Sequence, residues 1–279
     1  MNKLRTHATQ SINAKGKLIT FDKPLVMGIL NVTPDSFFDG GQHNEVDQAL
    51  AKAVNMIAEG ADIIDIGAYS SRPGAQEIDK TEELQRAIPV IEGLKTQFPN
   101  TLLSIDTFRA SVAEAAVKAG ADIINDISGG GLDPDMFDTV AKLQVPYILM
   151  HMRGTPETMQ ELTDYEDVVE DVACYFGEKI SVLRTLGVKD IILDPGYGFA
   201  KTIEQNHELL HRVDELHYWG LPILGGISRK SMIYRKLDIT PQEALNGTIA
   251  LNTLLLSKGV QLLRVHDVAE AKQLIDLLF

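Results

Sequence analysis

Short apolar runs alternate along the chain with longer amphipathic stretches. The runs are rich in Ile, Leu and Val, and their apolar residues are continuous rather than alternating. This pattern is typical of parallel strands that are buried on both faces of a sheet. It predicts eight strands, at 24–31, 62–67, 102–106, 122–127, 146–151, 190–195, 222–227 and 261–266.

The stretches between the runs have the apolar spacing of amphipathic helices. In 45–59, for example, Val46, Leu50 and Ile57 fall on one helical face, and Gly60 follows as a stop signal. The same spacing predicts further helices at 81–95, 109–119, 134–143, 164–186, 203–217, 241–257 and 267–278.

Eight strands alternating with eight helices predict an α/β fold, a (β/α)8 TIM barrel in a single domain. The 279 residues suit such a barrel, which typically has about 250. An open, doubly wound sheet is the alternative. No Ser/Gly-rich linker or charge block marks a second domain. We therefore expect an N-terminal extension at 1–20 and one barrel domain at 21–279.

Composition limits the class of partner. The net charge of −13 argues against nucleic acid and against an anionic membrane surface, although a few local cations can still bind a small anion. A single cysteine, Cys174, leaves no intrachain disulfide and is typical of a cytoplasmic protein. No apolar stretch reaches the about 20 residues of a membrane span, and none at the start suggests a signal peptide.

Polar residues follow every predicted strand, at the end where barrel enzymes build their active sites. Loops that leave a core explain polarity in general. They explain less well why Asp, Asn, Lys, Arg and His are so frequent here. As a set, these residues predict an active site: Asn31; Ser70, Ser71 and Arg72; Asp106; Asn125 and Asp126; His151 and Arg153; Asp194; Ser228, Arg229 and Lys230; Arg264 and His266.

Three of these residues, Asp106, Asn125 and Asp194, lie within or at the end of apolar runs. A carboxylate at such a depth needs a hydrogen-bond donor. The flat N–H/NH2 edge of guanine or a pterin is one donor that pairs with a carboxylate through two hydrogen bonds. The alternative, for one of the acids, is an internal salt bridge to Lys230 or Arg264.

A cationic group follows the last two strands. Ser228, Arg229 and Lys230 come after the seventh, and Arg264 and His266 end the eighth. The loops after these two strands are the usual phosphate site of a barrel, and the arginine fork fits phosphate oxygens. A solvated surface charge is an equal alternative for Arg229. The group predicts a phosphate or pyrophosphate site beside the heterocycle.

Familiar cofactor motifs are absent. Neither H-E-x-x-H nor C-x-x-C occurs, and GYGFAK (196–201) begins like the dinucleotide motif G-x-G-x-x-G but ends in Lys201. A pyrophosphate would bring Mg2+ with it, and that ion needs only one or two protein oxygens. Asn31 could supply one of them.

An ordered set of motifs runs from about residue 24 to the C terminus: MGILNVTPDSFFDGG, DIIDIGAYSSRPGA, SIDTF, ADIINDISGG, LMHMRGTP, ILDPGYGFAK, GISRKSMI and LLRVHDV. The set resembles bacterial dihydropteroate synthases. Pterin-dependent methyltransferase domains are related, but they do not share the whole set and would need a corrinoid partner module. A non-catalytic or regulatory pterin-binding homologue is the other alternative.

The resemblance implies that 6-hydroxymethyl-7,8-dihydropterin pyrophosphate is joined to p-aminobenzoate by an SN1-like route, in a Mg2+-dependent homodimer. It implies catalytic roles for Asp106, Lys230 and Arg264; pterin binding by Asp106, Asn125, Asp194 and Lys230; pyrophosphate binding by Asn31, Arg72, Arg264 and His266; p-aminobenzoate binding by Phe37, Ser71, Pro73, Phe199, Ser228 and Lys230; and Mg2+ binding by Asn31.

The loop after the second strand departs from the family pattern G-E-S-T-R-P-G. Tyr69 stands where the family has Glu, and Ser71 replaces Thr but keeps a hydroxyl. Phe38, in the loop before it, stands where Ser is frequent. All three differences lie on the side of the site that is expected to bind p-aminobenzoate.

Overall fold

The computed structural model describes residues 10–32, 42–69 and 78–279. Within these ranges the strands are β1 (Ser11–Ala14), β2 (Lys17–Thr20), β3 (Leu25–Asn31), β4 (Ile63–Gly67), β5 (Leu102–Asp106), β6 (Ile123–Asp126), β7 (Tyr147–Met150), β8 (Ile191–Asp194), β9 (Leu224–Gly225) and β10 (Leu262–Val265). The α-helices are α1 (Gln42–Ala58), α2 (Lys80–Gln97), α3 (Ala110–Ala119), α4 (Met136–Leu143), α5 (Val168–Thr185), α6 (Ile203–His211), α7 (Ser231–Leu237), α8 (Leu245–Ser257) and α9 (Val268–Leu278).

Strands β3 to β10 form one parallel sheet that closes on itself. Their hydrogen-bonded order is β8-β7-β6-β5-β4-β3-β10-β9. The two edges meet where Leu193 bridges to Ile223, and the Leu193 N–H donates to the Pro222 carbonyl over 2.8 Å. The predicted (β/α)8 barrel is therefore confirmed, and the open sheet is wrong.

Side chains alternate along each strand between the surrounding helices and the barrel interior. Outward residues such as Ile64, Leu103 and Ile124 pack in the core beneath the helices. The inward residues near the amino ends of the strands form a separate apolar layer: Met27, Ile63, Leu102, Ile123, Ile148, Ile192, Leu224 and Leu262. Burial on both faces explains why the strands are continuous apolar runs.

The β1–β2 hairpin covers the amino end of the barrel. Ile12 and Phe21 are almost fully buried and pack in the same apolar cluster as the lower barrel layer. The hairpin turns at Lys15 and Gly16, whose φ angles are 52° and 89°. Sequence reasoning predicted no strands within 1–20. Two four-residue strands joined by Lys-Gly, rather than the usual Asn-Gly, carry little signal.

Several helix predictions differ from the structure; α5, for example, begins at Val168 rather than at 164, and α8 begins at Leu245 rather than at 241. The predicted helix 203–217 is α6 followed by a 3-10 helix at 213–219, because a 3-10 turn continues the apolar spacing without a visible break. Helix α7 was not predicted, since its seven residues are only two turns. Helix α1 begins three residues before the predicted 45–59. In the described ranges, no helix is long and apolar enough to span a bilayer.

Candidate active site

Three polar residues and one glycine line up across four neighbouring strands at the carboxyl end of the barrel. Asn31 pairs in register with Gly67, Gly67 with Asp106, and Asp106 with Asn125. Each lies at an even spacing from a residue of the inward apolar layer, such as Ile123 two positions before Asn125. The alternation that fills the lower barrel with Ile and Leu therefore directs these polar residues to its mouth.

Arg264 bridges two carboxylates inside the barrel. Its Nε donates to Oδ2 of Asp65 and its Nη2 donates to Oδ2 of Asp106, each over 2.6 Å. The same Asp65 oxygen accepts a hydrogen bond from Nδ2 of Asn125 over 3.0 Å. An internal salt bridge, left open by the sequence for one of the acids, is thus present at Asp106.

Burial sets the ionisation of this cluster. Asp65 is 0% exposed, whereas the Asp106 side chain keeps 22% exposure toward the mouth. Desolvation raises the pKa of Asp106 to about 7, although the Arg264 guanidinium opposes the shift. Burial lowers the pKa of Arg264, but Asp65 and Asp106 outweigh it and the net shift is upward. Arg264 therefore stays charged, and Asp106 can meet a developing positive charge.

Asp194 and Lys230 form a second charged pair at the mouth. Burial raises the pKa of Asp194, while the charge of Lys230 lowers it. Burial also lowers the pKa of Lys230 to about 8, against the favourable charge of Asp194. The Gly196 N–H donates to Oδ1 of Asp194 over 2.8 Å and so fixes the plane of the carboxylate.

An aromatic ring lies against the same lysine. The Lys230 ammonium is 4.7 Å from the ring centroid of Phe199, and it donates a hydrogen bond to the Tyr197 carbonyl. An ammonium held against a ring face attracts the ring electrostatically. The pair offers a flat apolar surface and a positive charge side by side, which suits a flat aromatic ligand bearing a carboxylate.

The cationic group after β9 and β10 divides into two pairs. Oγ of Ser228 lies 3.0 Å from Nδ1 of His266, and burial lowers the pKa of His266 to about 4. Arg229 donates to both oxygens of Asp267, over 2.8 and 2.7 Å. Its guanidinium is therefore neither an open anion ligand nor a purely solvated charge.

One predicted residue, Asp126, lies on the far side of the sheet, where the Tyr147 hydroxyl donates to it. Nine of the other predicted residues are brought together. They lie at the carboxyl end of the barrel or in the loops that follow: Asn31, Asp106, Asn125, Asp194, Phe199, Ser228, Lys230, Arg264 and His266. Five further predicted residues lie outside the described residues, in the segments 33–41 and 70–77: Phe37, Ser70, Ser71, Arg72 and Pro73.

Tyr69, the departure from the family pattern, joins an aromatic cluster after β5. Its ring meets Phe108 edge to face, with centroids 5.0 Å apart. The guanidinium carbon of Arg109 lies 5.5 Å from the Tyr69 centroid and 4.9 Å from that of Phe108. Arg109 in turn forms a salt bridge with the buried Glu83. Where the family has an acid, this chain has an aromatic ring beside a cation.

Sequence reasoning missed Asp65, which supports both Arg264 and Asn125. The residue stands in the middle of the β4 run, where it looks like an interruption of an apolar strand. An acid at an inward position, two residues before Gly67, is the signal that points to it. Burying a carboxylate at that depth is costly unless it is paired.

Two side-chain oxygens could act as ligands of a magnesium ion. Oδ1 of Asn31 and Oδ2 of Asp106 both lie 3.7 Å from the point that a Cβ on Gly67 would occupy. Amide and carboxylate oxygens are suitable ligands for Mg2+. Among the described residues, no group of three or more His, Cys, Asp or Glu side chains could hold a metal.

Comparisons with known proteins show the family of this chain. Residues 27–266 match the family described as pterin binding enzyme. The chain is 45% identical to dihydropteroate synthase of Escherichia coli (strain K12) over 259 residues, which are 92% of this chain and 91% of that protein. It is similar to Xanthomonas albilineans dihydropteroate synthase with 4-aminobenzoic acid (TM-score 0.90, 41% identity, 97% of both chains). The same enzyme in complex with 7,8-dihydropteroate gives a TM-score of 0.86 at 39% identity, over 96% of this chain and 97% of that one.

Proposed function

We propose that this chain, which belongs to the pterin-binding enzyme family and within it to the dihydropteroate synthases, makes 7,8-dihydropteroate for folate biosynthesis. It would join 6-hydroxymethyl-7,8-dihydropterin pyrophosphate to p-aminobenzoate and release pyrophosphate. The observation that carries the proposal is the convergence of Asp106, Asn125, Asp194 and Lys230 on one barrel mouth. Relatives bound to 4-aminobenzoic acid and 7,8-dihydropteroate support the choice of substrates.

The pterin would bind through its flat hydrogen-bonding edge. The Asp194 carboxylate, held in plane by the Gly196 N–H, can accept from the 2-amino group and N3. Asn125 is oriented by its hydrogen bond to Asp65 and adds a further polar contact. Lys230 lies opposite Asp194 and can donate to a pterin acceptor.

The reaction needs no protein nucleophile. The bond from the pterin methylene carbon to the pyrophosphate oxygen breaks, and both electrons leave with pyrophosphate. Asp106, as a carboxylate paired with Arg264, would stabilise the resulting pterin-methyl cation. The amine of p-aminobenzoate then attacks that carbon and loses a proton. Catalysis is charge stabilisation and positioning.

Pyrophosphate would be held on the cationic side of the mouth. We assign this role to Arg264 and His266 together with Arg72 and Asn31. A bound Mg2+ would neutralise charge on the leaving pyrophosphate, and the amide oxygen of Asn31 would hold it. Arg264 would contact pyrophosphate while it remains anchored to Asp65 and Asp106.

The second substrate would lie against Phe199. Lys230, beside that ring, can meet the carboxylate or the ring face of p-aminobenzoate. Ser228 adds a hydroxyl whose position is fixed by His266. The same subsite is proposed to include Phe37, Ser71 and Pro73.

Two properties of the whole protein belong to this proposal. We infer a homodimer, which light scattering of the purified protein would test by its mass. We also infer a cytoplasmic location, and cell fractionation would test it. Neither nucleic acid nor membrane is proposed as a partner.

Genetic complementation tests the proposed function. A bacterium that lacks its own dihydropteroate synthase needs folate end products in its medium. Expression of this chain should restore growth without them, and the Asp106→Ala variant should not. Lys118→Gln changes an exposed lysine on α3 and should behave like the wild type. Failure of the wild type to restore growth, together with tight pterin binding in vitro, would favour the non-catalytic homologue.

A further inference from the structure

Lys201 and His151 form a buried pair beneath the loop that follows β8. The two residues are 4% and 2% exposed. Nζ of Lys201 lies 2.9 Å from Nδ1 of His151, and it donates to the carbonyls of Gly196 and Phe199, both over 3.1 Å. The function proposed above assigns no role to either side chain.

The chemistry of the pair fixes its protonation. A lysine ammonium is a donor only, with three protons, and here it meets three uncharged acceptors. Nδ1 of His151 must therefore accept, so that the ring proton lies on Nε2. Burial, with the charges of Lys201 and Arg153, lowers the pKa of His151 to about 2, so the ring stays neutral. The pair is a buried cation with which no carboxylate of the described residues forms a salt bridge.

Burying a cation without a contacting acid costs free energy, unless a nearby negative charge stabilises the cation. Burial lowers the pKa of Lys201 to about 7, and Asp194 is the neighbouring group that favours its charged form. Reciprocally, Lys201 lowers the pKa of Asp194. The ammonium thus supports an ionised Asp194 without occupying the carboxylate oxygens that a ligand needs.

Gly196 connects the lysine to that carboxylate. Its N–H donates to Oδ1 of Asp194 and its carbonyl accepts from Lys201. The φ angle is +70°, and a Cβ at this position would lie 1.9 Å from the His151 carbonyl oxygen. The peptide is therefore held on both sides and has no room for a side chain.

The other end of the loop is held by the same ammonium. Lys201 binds the Phe199 carbonyl, whereas the Phe199 ring and the Tyr197 carbonyl face Lys230. The Lys201 ammonium therefore fixes the segment 196–199. This segment contains the N–H that donates to Asp194, and it also contains the carbonyl and the ring that contact Lys230.

We propose that Lys201 is a positioning residue for pterin recognition, with His151 as its neutral acceptor. Its ammonium holds the 196–199 loop in place and adds a positive charge near Asp194. This inference rests on the proposed function, because it takes a pterin as the ligand of Asp194. It extends the site to residues that touch no substrate.

The test compares two methionine variants, because Met keeps the length of the stem and removes the charge. Isothermal titration calorimetry with 6-hydroxymethylpterin measures binding without turnover. Lys201→Met should raise the dissociation constant about tenfold or more, because three charge-assisted hydrogen bonds are lost. Lys95→Met is the matched control at the amino end of the barrel, where Nζ donates to the Thr101 carbonyl and pairs with Asp122. Its pterin affinity should match the wild type.

Unchanged pterin affinity in a folded Lys201→Met variant would overturn the proposal. A second variant, Lys201→Ala, separates charge from packing. Added ethylammonium should restore its pterin affinity and added ethanol should not; equal effects of the two would contradict a role for the charge. Wild-type protein that binds pterin but makes no dihydropteroate would overturn the proposed function alone.

A measurement on the wild type covers the case in which the variants do not fold. Nitrogen-15 NMR of the labelled histidines reports the protonation of each ring nitrogen. At about pH 6, where Lys201 is charged, His151 should carry its proton on Nε2, with Nδ1 unprotonated. A proton on Nδ1 would mean that Lys201 is not the donor, and the proposal would fail.

Discussion

Nη2 of Arg264 lies 2.6 Å from Oδ2 of Asp106, and this ion pair joins the two halves of the site. Asp106 belongs to the group that would bind the pterin, whereas Arg264 belongs to the group that would bind pyrophosphate. The Arg264 guanidinium would contact both the Asp106 carboxylate and the leaving pyrophosphate. It would therefore couple the departure of pyrophosphate to stabilisation of the cation that remains. The following predictions test the parts of this arrangement.

Arg264→Ala should weaken binding of the pyrophosphate substrate by about 2–5 kcal/mol, because a charge-assisted contact is lost. Free pterin should lose much less affinity. Titration calorimetry with both ligands measures the difference. Arg229→Ala is the control, since that guanidinium is already engaged by Asp267. Equal losses for both ligands in Arg264→Ala would make the residue structural.

Asp194→Asn should weaken binding of free pterin by about 1–3 kcal/mol, because a paired acceptor becomes a mismatched donor. The matched variant is Asp126→Asn. Asp126 is also buried, but it accepts from Ser128, Gly130 and Tyr147 on the far side of the sheet. Its replacement should lower stability and leave pterin affinity unchanged. Unaltered pterin binding in Asp194→Asn would refute the edge-pairing role.

Asp65→Asn should lower the free energy of unfolding by about 3 kcal/mol, since it leaves Arg264 buried with one carboxylate instead of two. Urea titration followed by circular dichroism measures the loss. Ser104→Ala is the control on the neighbouring strand, paired in register with Asp65. The Ser104 hydroxyl is buried and makes no hydrogen bond within the described residues. Its removal should be close to neutral, and equal losses in both variants would contradict the prediction.

His151 should lower the free energy of unfolding of the protein in acid. Its folded pKa is lowered to about 2 from an ordinary value of 6.5, so below pH 6.5 the unfolded chain binds a proton that the folded chain does not. Stability from this group is complete above about pH 6.5 and falls by about 1.4 kcal/mol per pH unit as the pH drops toward 2.

Urea titrations at several pH values, on wild type and His151→Gln, isolate this contribution. Below pH 6, the free energy of unfolding of the variant should depend less steeply on pH than that of the wild type. The difference should correspond to about one proton. Parallel slopes for wild type and His151→Gln would contradict a neutral buried ring.

Gly196→Ala should cost more stability than Gly187→Ala, although both glycines have positive φ angles, of 70° and 85°. A Cβ at 187 would meet nothing within 4 Å, so only the left-handed backbone is penalised, by about 1–2 kcal/mol. At 196 the Cβ would also collide with the His151 carbonyl. Thermal unfolding of both variants measures the difference, and equal midpoints would mean that the loop can shift.

The barrel could be predicted from the sequence because its strands are buried on both faces. Continuous apolar runs result directly from that burial, and all eight predicted strands are present. The polar residues at the ends of these runs could be predicted as site residues from their position alone. Asp106, Asn125 and Asp194 were predicted as a set, and register between parallel strands brings the first two side by side.

Long-range pairing could not be predicted in the same way. Arg264 and Asp65 are 199 residues apart, and no local pattern couples them. Lys201 was set aside because it breaks a glycine motif. The direction in which the Lys201 side chain points depends on the left-handed turn that starts at Gly196, together with a φ of 49° at Ala200. Such backbone angles come from tertiary packing and leave no trace in hydrophobic periodicity.

The most direct test of the account is a product assay on purified protein. Wild-type enzyme is mixed with Mg2+, dihydropterin pyrophosphate and p-aminobenzoate, and dihydropteroate is measured by mass spectrometry. The account predicts product from the wild type, none when either substrate is omitted, and a loss of product in Asp106→Ala while that variant stays folded. Product formation at the wild-type rate in folded Asp106→Ala, or no product from the wild type, would contradict it.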